Sequence, residues 1–295
     1  MADDLTVEWF GCTTFRVCVA GLTLWFDTFV DRAPGAAPVG LTAEAIDTAD
    51  FVFVSHAHFD HALGADTVAL ATGAPVVGNF ETVRLLAANG VAAAQRWAVS
   101  GGETVDCGRG VRVRVFPSLH SCLFASSELD AGTPCLGDLG ISLQDRRAKV
   151  ADVWPLLASV VPPAYAAEIE QHTSHEDGGQ LSYLIESADG SIFVSASSGY
   201  WSGILAGLRP DVAILAAACR PNVDGEPSQR SMADFITDQV EVLRPHTVVL
   251  CHHDAWMPVL PALDPAPIAH ELAARSPAAR LIEMTYGDAR PLLRR

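Results

Sequence analysis

Basic residues are scarce in this chain: 19 Lys and Arg stand against 35 Asp and Glu among 295 residues, a formal net charge of −16. A field of that sign repels polyanions, and non-specific affinity for nucleic acid comes from clustered Lys and Arg. DNA and RNA are therefore not expected partners, although a local basic pocket is compatible with the count. Long apolar runs are missing too. No stretch approaches the length a bilayer-spanning helix needs, and Met1–Phe10 opens on two aspartates without the basic stretch and apolar core of a signal peptide. Stable membrane insertion and export are not expected. Paired cysteine spacing is absent: Cys12, Cys18, Cys107, Cys122, Cys135, Cys219 and Cys251 are odd in number and scattered, which fits reduced thiols and a cytoplasmic protein. Repeats, low-complexity tracts and an evident linker are lacking as well. With 49% hydrophobic and 18% charged residues the composition is globular, and residues 1–295 are expected to form one large domain; oligomeric state is not legible.

What is present begins with short β-strands at Leu5–Phe10, Phe15–Ala20 and Leu22–Asp27, with turns at Gly11 and Gly21. After a Pro/Gly/Ala loop, a strongly apolar strand, Phe51–Val54, runs into a histidine cluster. Helical and strand patterns then alternate: helices near Ala62–Ala71 and Glu81–Ala88, strands at Pro75–Gly78 and Val111–Phe116. From about residue 121 to 179 the rhythm breaks, with loop signals at Gly132-Thr133-Pro134 and Pro162-Pro163 and one helix near Ala148–Val160, so this stretch reads as an insertion. Strands resume at Leu181–Glu186, Ser191–Ser195, Asp211–Ala217 and Thr247–Cys251, with a helix at Met232–Leu243. The alternation is that of an α/β (α+β) chain, and two β-rich then βα-rich halves suit a four-layer sandwich.

The run His56-Ala57-His58-Phe59-Asp60-His61 carries the chemistry. In extended backbone, residues two apart leave on the same side, so His56 and His58 can grip one ion just past the apolar strand. Asp60 and His61 follow as the chain turns into a helix, placing a carboxylate and a further imidazole where a second ion would sit. Imidazole nitrogen and carboxylate oxygen are ligands shared by Zn²⁺, Mn²⁺ and Fe²⁺. The bland alternative makes these polar residues at a strand end; four metal-competent side chains within six positions favour a metal.

His56-x-His58-x-Asp60-His61 after a β-strand resembles the hallmark of the metallo-β-lactamase superfamily. The resemblance implies a four-layer αββα sandwich with a one- or two-metal site at the edge of its sheets. It also implies a third histidine at a strand end, matched by His120 after Val111–Phe116, and a last one after a late strand, matched by His252, with His253 its neighbour. His172 and His175 compete for the third place but sit in what reads as a loop rim, where they would at most support a ligand from behind or face the substrate. Asp27 matches an acidic residue that supports the site in branches of the family, or simply caps a turn. The opening Trp9-Phe10-Gly11-Cys12-Thr13-Thr14-Phe15 and Leu24-Trp25-Phe26-Asp27 look similar to the branch holding sugar-phosphate lactonase-like and N-acyl-phospholipid phosphodiesterase-like enzymes.

One departure from the family pattern matters. Where the family places an Asp that bridges two metals, this chain reads Ser195-Ala196-Ser197-Ser198-Gly199-Tyr200, with Ser197 at the position of the carboxylate. Without that charge a second cation is repelled by the first with only Asp60 to offset it. The expectation is one tightly held ion, zinc with iron or manganese as alternatives, on His56, His58 and His120. Asp60, His61 and His252 would then form a weak second site. A zinc ion on three imidazoles lowers the pKa of a bound water from about 15.7 to near 7, which implies hydrolysis of a small ester, lactone, amide or phosphodiester with Asp60 as ligand and base. The 121–179 insertion would serve as lid and specificity element. Two alternatives stay open: a mononuclear iron oxidoreductase, as in the superfamily's sulfur dioxygenases, and a non-catalytic metal-binding protein. A Cys–His nucleophile drawn from Cys122, Cys135 or Cys251 is weighed against ordinary buried packing.

Overall fold

The computed structural model describes residues 5–123, 142–151 and 153–293. Its elements follow in chain order: β1 (Thr6–Trp9), β2 (Phe15–Val19), β3 (Leu22–Phe26), β4 (Phe51–Phe53), α1 (Phe59–Ala62), α2 (Ala65–Thr72), β5 (Val76–Gly78), α3 (Phe80–Ala88), β6 (Arg96–Ala98), β7 (Thr104–Gly108) and β8 (Val111–Pro117). After them come α4 (Leu143–Ala151), α5 (Val153–Ser159), α6 (Pro163–His172), β9 (Leu181–Glu186), β10 (Ser191–Ser195), β11 (Gly199–Tyr200), α7 (Ser202–Leu205), β12 (Val212–Ala216), β13 (Asn222–Val223), β14 (Glu226–Pro227), α8 (Met232–Leu243), β15 (Thr247–Cys251), α9 (Ala266–Arg275) and β16 (Arg280–Ile282).

Two sheets form the middle of the molecule. The first has the order β1-β2-β3-β4-β5-β6 and the second β16-β15-β12-β10-β9-β8-β7. Alternation decides which side chains meet between them: in β2, Phe15, Val17 and Val19 are buried while Arg16 and Cys18 are half-covered. Phe26, Phe53, Val113, Tyr183, Val194, Ile214 and Val249 fill the space between the sheets. The outer face of the first sheet packs Trp25, Val52 and Val54 against Val68 of α2 and Leu86 of α3. The outer face of the second packs Phe193, Leu215 and Val248 against Phe235 and Val240 of α8 and Ile268 and Leu272 of α9. β12 and β15 are buried along their whole length, as strands covered on both faces must be. The result is the αββα sandwich expected from the sequence.

Local differences have local causes. The helix expected at Ala62–Ala71 is two helices, because Gly64 (φ +93°) breaks it in a spot where a Cβ would lie 2.9 Å from both the Ala43 Cβ and the Thr28 carbonyl oxygen. Pro162-Pro163 is a helix start rather than a loop: Pro163 opens α6, where a missing N–H forfeits no hydrogen bond. α9 and β16 have no counterpart in the sequence reading. Gly132-Thr133-Pro134 and Cys135 lie outside the described residues. Among the described residues no helix is long and apolar enough to cross a membrane.

Candidate metal centre

Strand direction gathers the site. β1 and β3 run parallel through their shared antiparallel partner β2, and β3 is parallel to β4. In the other sheet β8 pairs antiparallel with β9 and β9 with β10, while β10, β12 and β15 are mutually parallel. The carboxyl ends of β1, β3, β4, β8 and β15 therefore share one edge of the sandwich. Cys12, Asp27, His56, His120 and His252 each follow one of these ends. That is where open α/β sheets place ligands.

His56, His58 and His120 converge. His56 Nε2 lies 3.2 Å from His58 Nδ1, which lies 3.1 Å from His120 Nε2. His120 faces the Ser121 carbonyl oxygen through Nδ1 at 2.9 Å; a carbonyl only accepts, so Nδ1 carries the proton and a neutral His120 presents a bare Nε2 to the other two rings. Burial, together with the neighbouring histidines, holds the three rings neutral: His56 well below its ordinary value, His58 down to about 3, and His120 also lowered. Three nitrogens aimed at one another, two on buried residues and one on a half-buried residue, with too few protons to pair them all, are a donor set for a cation.

Asp60 and His61 lie on α1, both buried. Asp60 Oδ2 is 3.4 Å from His61 Nε2 and 3.1 Å from His252 Nε2. Burial alone would raise the Asp60 carboxyl, but His61 and the His252 hydrogen bond take it well below its usual range. Burial alone would likewise lower His61; the Asp60 and Asp27 carboxylates instead raise it to about 9. Asp27 Oδ2 accepts from Thr13 Oγ1 at 2.7 Å, Ser55 Oγ at 2.9 Å and His61 Nδ1 at 2.8 Å, while Oδ1 accepts from the Ser55 amide at 2.7 Å. It thus fixes the ring that carries His61 Nε2 toward Asp60.

Three sets of ligand atoms lie within 4.8 Å of one another: His56, His58 and His120; His56, Asp60 and His61; and Cys12, Asp60 and His252. Cys12, Asp27 and His252 all adopt left-handed backbone, with φ of +45°, +51° and +61°. Such strain costs on the order of 1–3 kcal/mol per residue and persists where surrounding structure imposes it. At Cys12 the imposition is visible. Its amide donates to Asp254 Oδ1 and Oδ2 at 3.0 and 3.1 Å, and its carbonyl accepts from Trp9 Nε1 at 3.1 Å and from the His252 amide at 2.7 Å. Asp254 in turn takes Arg32 Nη2 and the Tyr286 hydroxyl at 2.7 Å each. Gly11 is required beside it, because a Cβ there would sit 2.0 Å from Arg32 Nη2.

The remaining candidates are placed as follows. Ser197 Oγ accepts from the Ser121 amide at 3.1 Å, steadying the residue next to His120. His175 is exposed and stacks on Trp154 with centroids 4.3 Å apart; Trp154 also meets His58 edge-on at 5.6 Å. His253 turns away, stacked on Trp9 at 5.1 Å. His172, at the last turn of α6, pairs with Asp66 of α2 at 2.5 Å. Cys251 is directed into the core between the sheets, since alternation sends it opposite to His252, and burial raises its thiol well above the ordinary value. Cys12, Ser55, Thr13, Trp154 and Asp254 were not singled out from sequence. A cavity of about 680 Å³ opens over His58 and His120, walled by Ser121, Arg147, Trp154 and His175; a small-molecule substrate occupies a space of that order.

An αββα sandwich with histidines and a carboxylate gathered at the carboxyl ends of its strands defines the metallo-β-lactamase type. Residues 23–137 match the family described as "Beta-lactamase superfamily domain". A UPF0173 metal-dependent hydrolase of Pyrobaculum calidifontis is 36% identical over 117 residues, 40% of this chain and 51% of the relative. The chain spans about half the length of the curated relatives it matches. Among solved structures, Igni18, a metallo hydrolase of Ignicoccus hospitalis, superposes with a TM-score of 0.63 at 17% identity, covering 97% of each chain. YhfI of Bacillus subtilis, a metallo-β-lactamase fold protein, does so at 0.57 and 10% identity, covering 98% of this chain and 99% of its own. These structural likenesses speak to the fold.

Proposed function

We propose that this protein is a metal-dependent hydrolase acting on a small ester, lactone, amide or phosphodiester. The observation that carries the reading is the convergence of three neutral imidazole nitrogens, 3.1–3.2 Å apart, beneath a cavity of substrate size. His56, His58 and His120 would hold one firmly bound ion, zinc by preference, with iron or manganese acceptable to the same donors. When bound, such an ion makes water acidic and polarises a carbonyl or phosphoryl oxygen.

The chain's own residues supply the rest. Asp60, kept ionised by His61 and His252, takes a proton from water at Oδ2 and returns it to the leaving group. Asp27, Ser55 and Thr13 hold His61 so that this carboxylate stays in place. Trp154 and His175, from the 121–179 insertion, wall the cavity and orient the substrate's apolar portion beside His58. The acidic chain keeps nucleic acid off the surface, and its reduced cysteines suit the cytoplasm.

The test is elemental analysis of protein purified without chelator, followed by a panel of lactone, phosphodiester, thioester and β-lactam substrates. His58→Ala is expected to lose the ion and at least 100-fold in turnover. Turnover that survives both His58→Ala and removal of metal would refute the proposal. Ser197, standing where the superfamily's bridging carboxylate would be, favours one other reading, a metal-binding protein without catalysis; it predicts bound metal and no activity across the panel.

A further inference from the structure

We infer that Cys12 supplies a thiolate ligand to a second divalent-ion site that it forms with Asp60 and His252. The inference rests on the metal reading of the histidine triad and adds to it a ligand from a different part of the chain. Cys12 Sγ, an Asp60 carboxylate oxygen and a His252 ring nitrogen lie within 4.8 Å of one another, and all three residues are buried. They differ in kind, and none is a surface group that happens to be near another.

Two further observations point at an absent ligand. His252 is 8% exposed, and among the described residues its Nδ1 has no hydrogen-bond partner, while its Nε2 lies 3.1 Å from Asp60 Oδ2 and its ring packs edge-on against Trp256. Cys12 is fully buried beside the apolar cluster of Phe29, Phe59, Trp256 and Met257, outside the core between the sheets, and its Sγ donates to the Asp60 carbonyl oxygen at 3.4 Å. The Asp254 carboxylate, the His252 amide and the Trp9 indole bind the Cys12 backbone and hold it in the left-handed conformation from which Sγ reaches Asp60.

The chemistry also balances the departure at Ser197. A second cation beside the first needs negative charge nearby. With serine at residue 197, the carboxylate of Asp60 is one anion, and a Cys12 thiolate is the second. Binding exchanges one proton for one metal–sulfur bond: the thiol proton leaves to solvent as Sγ joins the ion, with no change of oxidation state. A sulfur, oxygen and nitrogen set favours zinc, cobalt or cadmium over magnesium and manganese, so the second site would be more selective than the triad.

The experiment is titration of the chelator-treated full-length protein with Co²⁺, reading stoichiometry and near-ultraviolet absorption. Two equivalents are expected, the second accompanied by a thiolate-to-cobalt charge-transfer band. Cys12→Ser should keep the first equivalent, weaken the second by at least 10-fold and lose the band; Cys219→Ser, which alters an exposed thiol near Ser121, should keep both. If Cys12→Ser does not fold, zinc X-ray absorption on the unaltered protein reads the same point, a sulfur scatterer at about 2.3 Å. One equivalent without the band, a band that follows Cys219, or a second equivalent indifferent to Cys12→Ser would overturn the inference while leaving the triad intact. Absence of any bound ion would overturn both.

Discussion

Asp27 Oδ2 receives the Nδ1 of His61 at 2.8 Å in a pocket where both side chains are 1% exposed. The same oxygen also accepts from Thr13 and Ser55, so the histidine cannot rotate without breaking a four-member cluster. Residues 27 and 61 never touch the cavity, yet they decide where His61 Nε2 points.

Asp27→Asn should therefore weaken metal binding without unfolding the protein. Asparagine tolerates the left-handed backbone at this position and keeps the shape, but one arm of the amide donates where the carboxylate accepted. Loss of such an orienting partner costs about 10- to 100-fold in metal affinity. Competition with a chelator measures it; an affinity within twofold of the unaltered protein would show that His61 is held by other means.

The pH dependence of the metal-free protein follows from opposed shifts. His56, His58 and His120 are lowered by burial, His58 to about 3 from an ordinary 6.5. Between about pH 6.5 and the folded values the unfolded chain binds protons that the folded chain does not, so stability falls on acidification, by about 1.4 kcal/mol per pH unit for each proton. His61 has the other sign. Its folded value, about 9, lies above the unfolded 6.5, so its contribution is complete below 6.5 and is lost as pH rises through 9. Urea midpoints of the metal-free protein should peak near neutrality and drop more steeply on the acid side. A midpoint climbing steadily from about pH 8 to pH 5 would contradict the neutral-triad assignment.

Ser197→Asp tests the departure from the superfamily pattern directly. Ser197 is 7% exposed, and a carboxylate buried there without a cation has to be desolvated. The metal-free variant should melt lower than the unaltered protein. Added zinc should raise its melting temperature by more than it raises that of the unaltered protein, because the new carboxylate strengthens the second site. Equal zinc-induced shifts in both proteins would mean that residue 197 does not face the second ion.

How much of this was legible beforehand depended on distance along the chain. His56, His58, Asp60 and His61 were found because one strand end delivers all four, and the alternation of apolar and polar residues located the strands around them. His120 and His252 came from the resemblance, which calls for a histidine after each of two strand ends, and the fold brings both to the same edge as the cluster. Cys12 was passed over: its partner Asp254 is 242 residues away, and nothing in the turn Gly11-Cys12-Thr13 advertises that contact. Asp254 itself, adjoining His252-His253, was eclipsed by them. The split between α1 and α2 and the start of α6 at Pro163 depend on which neighbour crowds a glycine and which N–H goes unused, and both are settled by tertiary contacts.

Asp254 is the residue through which that hidden half of the site can be tested. Its carboxylate accepts from the Cys12 amide, Arg32 Nη2 and the Tyr286 hydroxyl; burial would raise its pKa, but Arg32 and these hydrogen bonds lower it. The Arg32 side chain is 3% exposed, so neutralising its partner leaves a buried guanidinium uncompensated, at a cost of about 3–5 kcal/mol. Asp254→Asn should lose stability of that order in urea titrations. Arg32→Met, which removes the cation but leaves Asp254 bound to Cys12 and Tyr286, should cost less. If Arg32→Met proves the more damaging of the two, the pair matters mainly through packing of the arginine stem, and Asp254 does not hold the Cys12 turn.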